Sequence, residues 1–343
     1  MNTGDLRNWT LILALLVGSA GDATAAQNQF IAGPFLGFAT DRGGEAIRPI
    51  LGIPGAAIIG NRLDLGLGFR KAVISPQQNY ALALRSEDDR PVIILLDADP
   101  PMMRPVTEEL VAADEIAISP TGMSAVLYAR SSGLVRLVRG LPEAPETIHE
   151  FDVTRIAGWP ERMAVSDDGT LALLRFAEGS SSELWVADST GSLWQAAFTS
   201  SSSMAFFPQS RDAIVTDDET QYVFLMLSVD GLATRVPLVS QIEGVTGYSA
   251  VAASRDARRI FVAGRESESI GVVDVETRTY TVVPCACRPE GLYGLMGTSV
   301  FRLNDSDGGL LAVLDASLPE AKIVVVPQLL REGDFGAGVQ VPQ

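Results

Sequence analysis

Apolar and β-branched residues come along this chain in runs of about four to six, each bounded by Ser, Pro, Asp or Gly, as buried or half-buried strands require. Residues 251–284 show the pattern whole. A small-residue strand is followed by a turn at Ser254-Arg255-Asp256 and the run Arg259-Ile260-Phe261-Val262-Ala263. A polar loop over 266–269, a strand over 270–273, a turn opening at Asp274 and a last strand over 280–283 complete the unit. The unit is four strands joined by short connections, and it recurs.

The turn between its first two strands returns as Ile74-Ser75-Pro76, Ile118-Ser119-Pro120, Val165-Ser166-Asp167-Asp168-Gly169, Phe206-Phe207-Pro208 and Ala253-Ser254-Arg255, with a degenerate copy near Leu295. Positions 75, 119, 166, 207, 254 and 295 are 44, 47, 41, 47 and 41 residues apart, a period that marks a propeller or solenoid. Ser, Pro, Asp and Gly each suit such a turn, through side-chain bonds to the backbone, a preset φ or access to positive φ. A second mark confirms the register: an apolar strand ending at Asp, in Leu95-Leu96-Asp97, Val186-Ala187-Asp188, Val273-Asp274 and Leu314-Asp315.

The same mark occurs over 35–41, followed by an apolar run over 47–51, and reads as the outer half of a blade whose inner strand is missing locally. Six whole units and one split unit predict an all-β propeller of seven four-stranded blades, the first completed by a C-terminal strand. Gly338-Val339-Gln340-Val341 is the candidate strand. Closing the ring in this way leaves no long exposed sheet edge. A six-bladed ring with a loose N-terminal hairpin is the competing count. Residues 51–70 read as a long Gly- and Pro-containing connection, and no break in composition supports a second domain.

Composition changes this picture little. The 343 residues are 47% hydrophobic and 20% charged, so a single body of this size buries enough surface to need no disulfide staples. Residues 1–26 stand apart: a weakly positive start at Arg7, an apolar run over 9–17 and Ala23-Thr24-Ala25 at the positions a signal peptidase reads. The run is shorter than the roughly 20 residues a membrane-spanning helix needs. The expectation is a cleaved signal peptide at 1–26 and a single propeller over 27–343, secreted or periplasmic, with no membrane span. No Cys lies at the junction to take a bacterial lipid anchor.

The formal net charge is −16, and leaving out 1–26, with two acids and one base, makes it −15. Such a balance disfavours nucleic acid, whose phosphates need a basic surface, and fits solubility outside the cell or a cationic partner or metal. Only Lys71 and Lys322 among the 26 basic residues are lysines, which reads as a compositional habit.

Units such as Ala-Ala-Ser-Arg-Asp-Ala-Arg-Arg-Ile-Phe-Val-Ala (252–263) followed by Ile-Gly-Val-Val-Asp-Val-Glu-Thr (270–277) resemble the YVTN-type seven-bladed β-propellers of exported bacterial proteins. The resemblance runs over about 30–330, with Ile260-Phe261-Val262-Ala263 in place of the tetrapeptide itself. It implies the fold. Propellers of this class serve as surface-layer modules, binding proteins and lactonase-like enzymes, so it does not select among functions.

In a four-stranded blade the loops from second to third strand open on the face that commonly holds the ligand. Here Arg85, Arg130, Arg175 and Arg265 recur near the ends of second strands, among Glu87, Asp217, Asp218, Glu266 and Asp305. A mixed Arg/carboxylate rim follows, able to hold an extracytoplasmic protein, peptide or glycan; solvated loops with locally paired charges are the bland reading. The run Asn304-Asp305-Ser306-Asp307-Gly308-Gly309 fails the calcium-loop pattern, since Leu303 and Leu314 would stand at its first and last ligand positions. Cys285 and Cys287, the only cysteines, are candidates for a local disulfide, which needs a tight turn between them. His149, the only histidine, falls on an outer strand far from the channel and opposes Ser-His-Asp or Cys-His catalysis. Trp185 and Trp194 fall on the outer strands of one blade and Trp159 just before it, where sheet packing is the default and sugar stacking the alternative. Two classes of function stand open: an exported binding or scaffold propeller, expected to be a monomer with no cofactor, and a lactonase-like or other hydrolase working at the channel mouth.

Overall fold

A computed structural model describes residues 33–107, 112–178, 181–196, 200–230, 234–305 and 310–328. The first blade holds β1 (Phe35–Thr40), β2 (Ile47–Ile53) and β3 (Ala56–Ile59). The second holds β4 (Phe69–Ile74), β5 (Tyr80–Arg85), β6 (Pro91–Leu95) and β7 (Met102–Pro105). The third holds β8 (Glu115–Ile118), β9 (Ser124–Ala129), β10 (Leu134–Arg139) and β11 (Glu146–Asp152), and the fourth β12 (Pro160–Val165), β13 (Leu171–Glu178), β14 (Ser181–Asp188) and β15 (Ser192–Ala196). The fifth holds β16 (Ser201–Phe206), β17 (Ala213–Asp217), β18 (Tyr222–Leu227) and β19 (Thr234–Val239), and the sixth β20 (Tyr248–Ala253), β21 (Arg259–Gly264), β22 (Ser269–Asp274) and β23 (Tyr280–Pro284). The seventh holds β24 (Tyr293–Gly294), β25 (Val300–Arg302), β26 (Leu311–Asp315) and β27 (Lys322–Val326). Each blade is an antiparallel sheet in chain order, and the only helical segment among the described residues is a 3-10 turn at Arg42–Gly44.

Strand alternation explains why the blades pack into a closed seven-bladed propeller. Side chains on a strand point alternately to opposite faces, and a strand between two neighbouring blades buries both. In β9, Ala125 and Leu127 join the core shared with the second blade, while Val126 and Tyr128 join the core shared with the fourth. Seven such apolar cores among the described residues each span one junction between neighbouring blades, including the junctions from seventh to first and first to second. The near-continuous apolar second strands of the sequence are therefore faces buried on both sides.

The repeated turns are built as their residues suggest. Ser75, Ser119, Ser166 and Ser254 are fully buried. Ser119 Oγ accepts the N–H of Met123 at 3.1 Å, Ser166 Oγ that of Leu171 at 3.0 Å and Ser254 Oγ that of Arg259 at 3.0 Å. Three residues after each Ser the chain takes positive φ, at Gln78, Gly122, Gly169 and Ala257.

The first blade differs from the expectation in its register. The start of β1 lies by the turn of the seventh blade, where Met296 N–H donates to the Leu36 carbonyl at 2.9 Å. Its end meets the loop between β25 and β26, where Thr40 Oγ1 donates to Asp305 at 3.3 Å. β1 thus runs as a second strand, not a third, and β3 supplies the outer position from within the stretch read as a connection. Only four residues long and set off by Pro54-Gly55, β3 carries too short a pattern to declare itself. The C-terminal chain reaches this blade at its outer edge, through a parallel bridge between Ile59 and Gln328. The candidate strand Gly338-Val339-Gln340-Val341 lies outside the described residues.

Candidate functional site

The inner strands β4, β8, β12, β16, β20 and β24 wall a central channel. They start on the face where second-to-third-strand loops open and end at the Ser turns on the other face. The predicted rim residues stand on the first of these faces, spread over six blades. Most of them act within the scaffold.

Arg85 donates from Nε to Asp88 at 2.9 Å in its own loop; that bond lifts the arginine's pKa and lowers the carboxylate's. Arg175 donates from Nη1 to Glu161 at 2.6 Å, and its Nε reaches the Ser201 carbonyl, so it ties the fourth blade to the fifth. The Arg130 guanidinium lies 4.7 Å from the ring centre of exposed Trp159, a cation–π pair between the third and fourth blades. Asp217 is buried, with Oδ1 accepting from the backbone N–H groups of Glu219 at 3.1 Å and Thr220 at 3.0 Å, the work of a turn residue. Asp218 accepts the N–H of Tyr248 at 3.0 Å from the next blade, and burial pushes its carboxyl above the usual carboxylate range. Asp305 accepts from Arg302 and Thr40 where the ring closes. Glu87, Arg265 and Glu266 are exposed and show no side-chain hydrogen bond or ion pair among the described residues. They stand on the second and sixth blades and form no single cluster.

The convergent groups lie inside that rim, at the channel mouth. A cavity of about 360 Å³ is walled there by Lys71, Glu115, Glu161, Arg162, Glu290 and Tyr293, with Ser203 and Ser249 between them. Lys71 is ion-paired with Glu115 across the second and third blades, both about one-third exposed. Arg162 is exposed and shows no side-chain partner among the described residues. Burial raises the Tyr293 phenol above its ordinary pKa, against the opposing charge of Arg302. Below the mouth the walls turn apolar, through Met163, Met204, Val251 and Leu292 into a chamber of about 200 Å³. Beyond it Arg255 crosses the opposite opening, donating from Nη2 to the Pro76 carbonyl at 2.9 Å. The channel is a polar mouth over an apolar interior.

The sequence marks these residues by their spacing from the turns. Lys71, Glu115 and Arg162 each stand four residues before a turn serine, Ser75, Ser119 and Ser166, and so occupy equivalent inner-strand positions. The described residues contain no group of three or more His, Cys, Asp or Glu placed to hold a metal ion. His149 sits on outer strand β11, its ring 4.5 Å from that of Phe151. Trp185 and Trp194 lie on β14 and β15, the third and outermost strands of their blade. Cys285 and Cys287 form a disulfide, with Cα atoms 5.0 Å apart. No helix among the described residues is long and apolar enough to cross a membrane.

No known protein family matches the chain, and no curated protein matches its sequence. Among solved structures it is similar to a functionally unknown protein from Desulfotomaculum acetoxidans DSM 771, at 14% identity and a TM-score of 0.57, over 86% of this chain and 99% of that one. It is also similar to Kuenenia stuttgartiensis hydrazine synthase, at 12% identity and a TM-score of 0.50, over 89% of this chain and 99% of that one. At such identities the likeness concerns the fold alone.

Proposed function

We propose that this chain is an exported binding propeller of the YVTN-like class, freed of residues 1–26, that holds a peptide segment of an extracytoplasmic protein at its channel mouth. The observation that carries the reading is the mouth itself. Opposed charges at Arg162, Glu290 and the Lys71–Glu115 pair surround an apolar interior lined by Met163, Met204 and Leu292. A concave apolar site with a few placed polar groups is the usual form of a ligand pocket. A peptide offers an apolar side chain for the interior and amide or charged groups for the mouth. Methionine-lined surfaces suit such a guest, because the thioether side chain adapts its shape. Arg265 and Glu266 on the surrounding rim add contacts to the flanks of the same segment.

The test is affinity capture from envelope extract and culture supernatant on immobilised protein 27–343, with three variants run beside it. A partner held by wild type and by Arg85→Gln, but lost from Arg162→Gln and weakened by Arg265→Gln, supports the reading. Equal retention by wild type and Arg162→Gln, or no specific retention at all, overturns it.

A further inference from the structure

Three cavities follow one another along the channel, joined by shared walls. Ile118, Met163, Met204, Val251 and Leu292 line both the mouth of about 360 Å³ and the chamber of about 200 Å³ below it. Pro76, Pro120, Pro208 and Arg255 line both that chamber and a vestibule of about 340 Å³ on the face of the Ser turns. The chamber is thus the small apolar middle of the channel, continuous with the mouth above it.

Its size and walls restrict what can fill it. An apolar cavity of about 150 Å³ is enough to take up a benzene molecule, so about 200 Å³ has room for the ring and methylene of a phenylalanine or tyrosine. Met163 and Met204 bring thioethers to the wall, and sulfur makes favourable contacts with aromatic rings. Phe206 and Phe301 line it as well, and aromatic pairs gain beyond the area they bury. Arg255 is the only charged residue in the lining. A basic side chain would meet that like charge at the far end, and an acidic one would have to leave water and pass the apolar wall to reach it.

We propose that the segment held at the mouth is anchored by an aromatic side chain, phenylalanine or tyrosine, seated in this chamber between Met163, Met204 and Leu292. The inference rests on the peptide reading for the origin of the ring, while the fit of the chamber to a ring is tested without any peptide.

The test is isothermal titration of protein 27–343 with toluene and p-cresol, and with the N-acetyl amides of phenylalanine, tyrosine, leucine, lysine and glutamate. The expected result is saturable one-to-one binding of the free rings, with an aromatic amide about tenfold tighter than the leucine amide, the order that a small difference in fit produces in an apolar pocket. Met163→Trp, which fills the chamber, is expected to weaken the binding of every ring more than tenfold. A urea midpoint on the same sample shows whether that variant folds; where it does not, Ala253→Leu, in the wall supplied by the sixth blade, takes its place. The tighter of the two aromatic amides assigns the anchor. No binding of any ring at millimolar concentration, a leucine, lysine or glutamate amide as tight as the aromatic ones, or ring binding unchanged in both filled variants overturns the inference. Ring binding without any partner retained in the capture experiment supports the chamber and overturns the peptide reading. Capture that depends on Arg162 without ring binding does the reverse.

Discussion

Gln78 Oε1 accepts the backbone N–H of Phe38 at 2.6 Å, across 40 residues of sequence and between two blades. The bond does for β1 part of what an inner strand does elsewhere. Gln78 Nε2 donates in turn to the carbonyls of Gly294 at 2.5 Å and Ser75 at 3.3 Å, so one carboxamide joins the seventh, first and second blades. The same carboxamide lies 2.7 Å from where a Cβ on Gly37 would stand, and φ there is +141°, so that position admits little but glycine.

Gln78→Gly therefore separates backbone from side chain. Gln78 has φ of 62°, which glycine adopts without strain, so the backbone gains while the buried Phe38 N–H loses its acceptor. The expected outcome is a net loss of about 1–3 kcal/mol, the cost of an unmet buried donor, read as a lower urea midpoint with unchanged slope. A Gly variant as stable as wild type would show that the carboxamide does not hold the ring.

Asp167 plays a related part at the turns on the opposite face. Its Oδ1 accepts the N–H of Thr121 at 2.7 Å and its Oδ2 that of Gln209 at 2.6 Å, linking the third, fourth and fifth blades through one carboxylate. Asp167→Ala is expected to cost about 1–3 kcal/mol, since hydrogen bonds to a charged group exceed neutral ones but water can reach these donors. Asp167→Asn, which keeps one acceptor, should fall between the alanine variant and wild type. Equal stability of all three by urea titration would remove the carboxylate from the account of the ring.

These two linkages show what the sequence could and could not carry. The blades were legible because their signals are local: apolar runs of about strand length, and Ser turns at a propeller's period. The first blade was legible as strands but not in register, because the Asp41 that ends β1 is the same residue type that ends third strands elsewhere. There, Asp41 Oδ1 instead accepts the N–H of Ala46 at 2.7 Å within the loop to β2. The charged rim looked like a site because Arg175 gives no hint in sequence of its partners Glu161 and Ser201, which lie in other strands. Conversely Lys71, one of two lysines, looked like chance until the ring set it beside Glu115 at the mouth.

The Cys285–Cys287 disulfide encloses a single residue. In the chain-entropy account so small a loop adds about 1–2 kcal/mol, less than a bridge spanning a blade would add. Cys285 is also 4% exposed and packs in the core between the sixth and seventh blades. Reduction should therefore lower the urea midpoint slightly, and Cys285→Ser should lower it further, because a hydroxyl then replaces a thiol in an apolar core. Titrations with and without reductant give both numbers. A reduced protein less stable than the serine variant would contradict this division.

Asp168 gives the fold a dependence on acid whose sign follows from its surroundings. Partial burial raises its carboxyl pKa, but bonds from Ser166 Oγ at 2.6 Å, the Thr170 N–H at 3.0 Å, Thr170 Oγ1 at 2.8 Å and Arg211 Nε at 3.1 Å outweigh it. The net result is a value of about 2 against an ordinary 3.8. A folded-state pKa below the unfolded one means that the charged form stabilises the fold. That contribution is complete above the unfolded value and is lost as pH falls through about 2. With the side chain 43% exposed, screening reduces it to on the order of 1 kcal/mol. Asp168→Asn should accordingly be less stable than wild type at neutral pH, and the difference should close between 3.8 and about 2. Urea titrations across that window measure it. A gap that stays constant down to the lower limit would mean that the four hydrogen bonds, and not the charge, account for what Asp168 contributes.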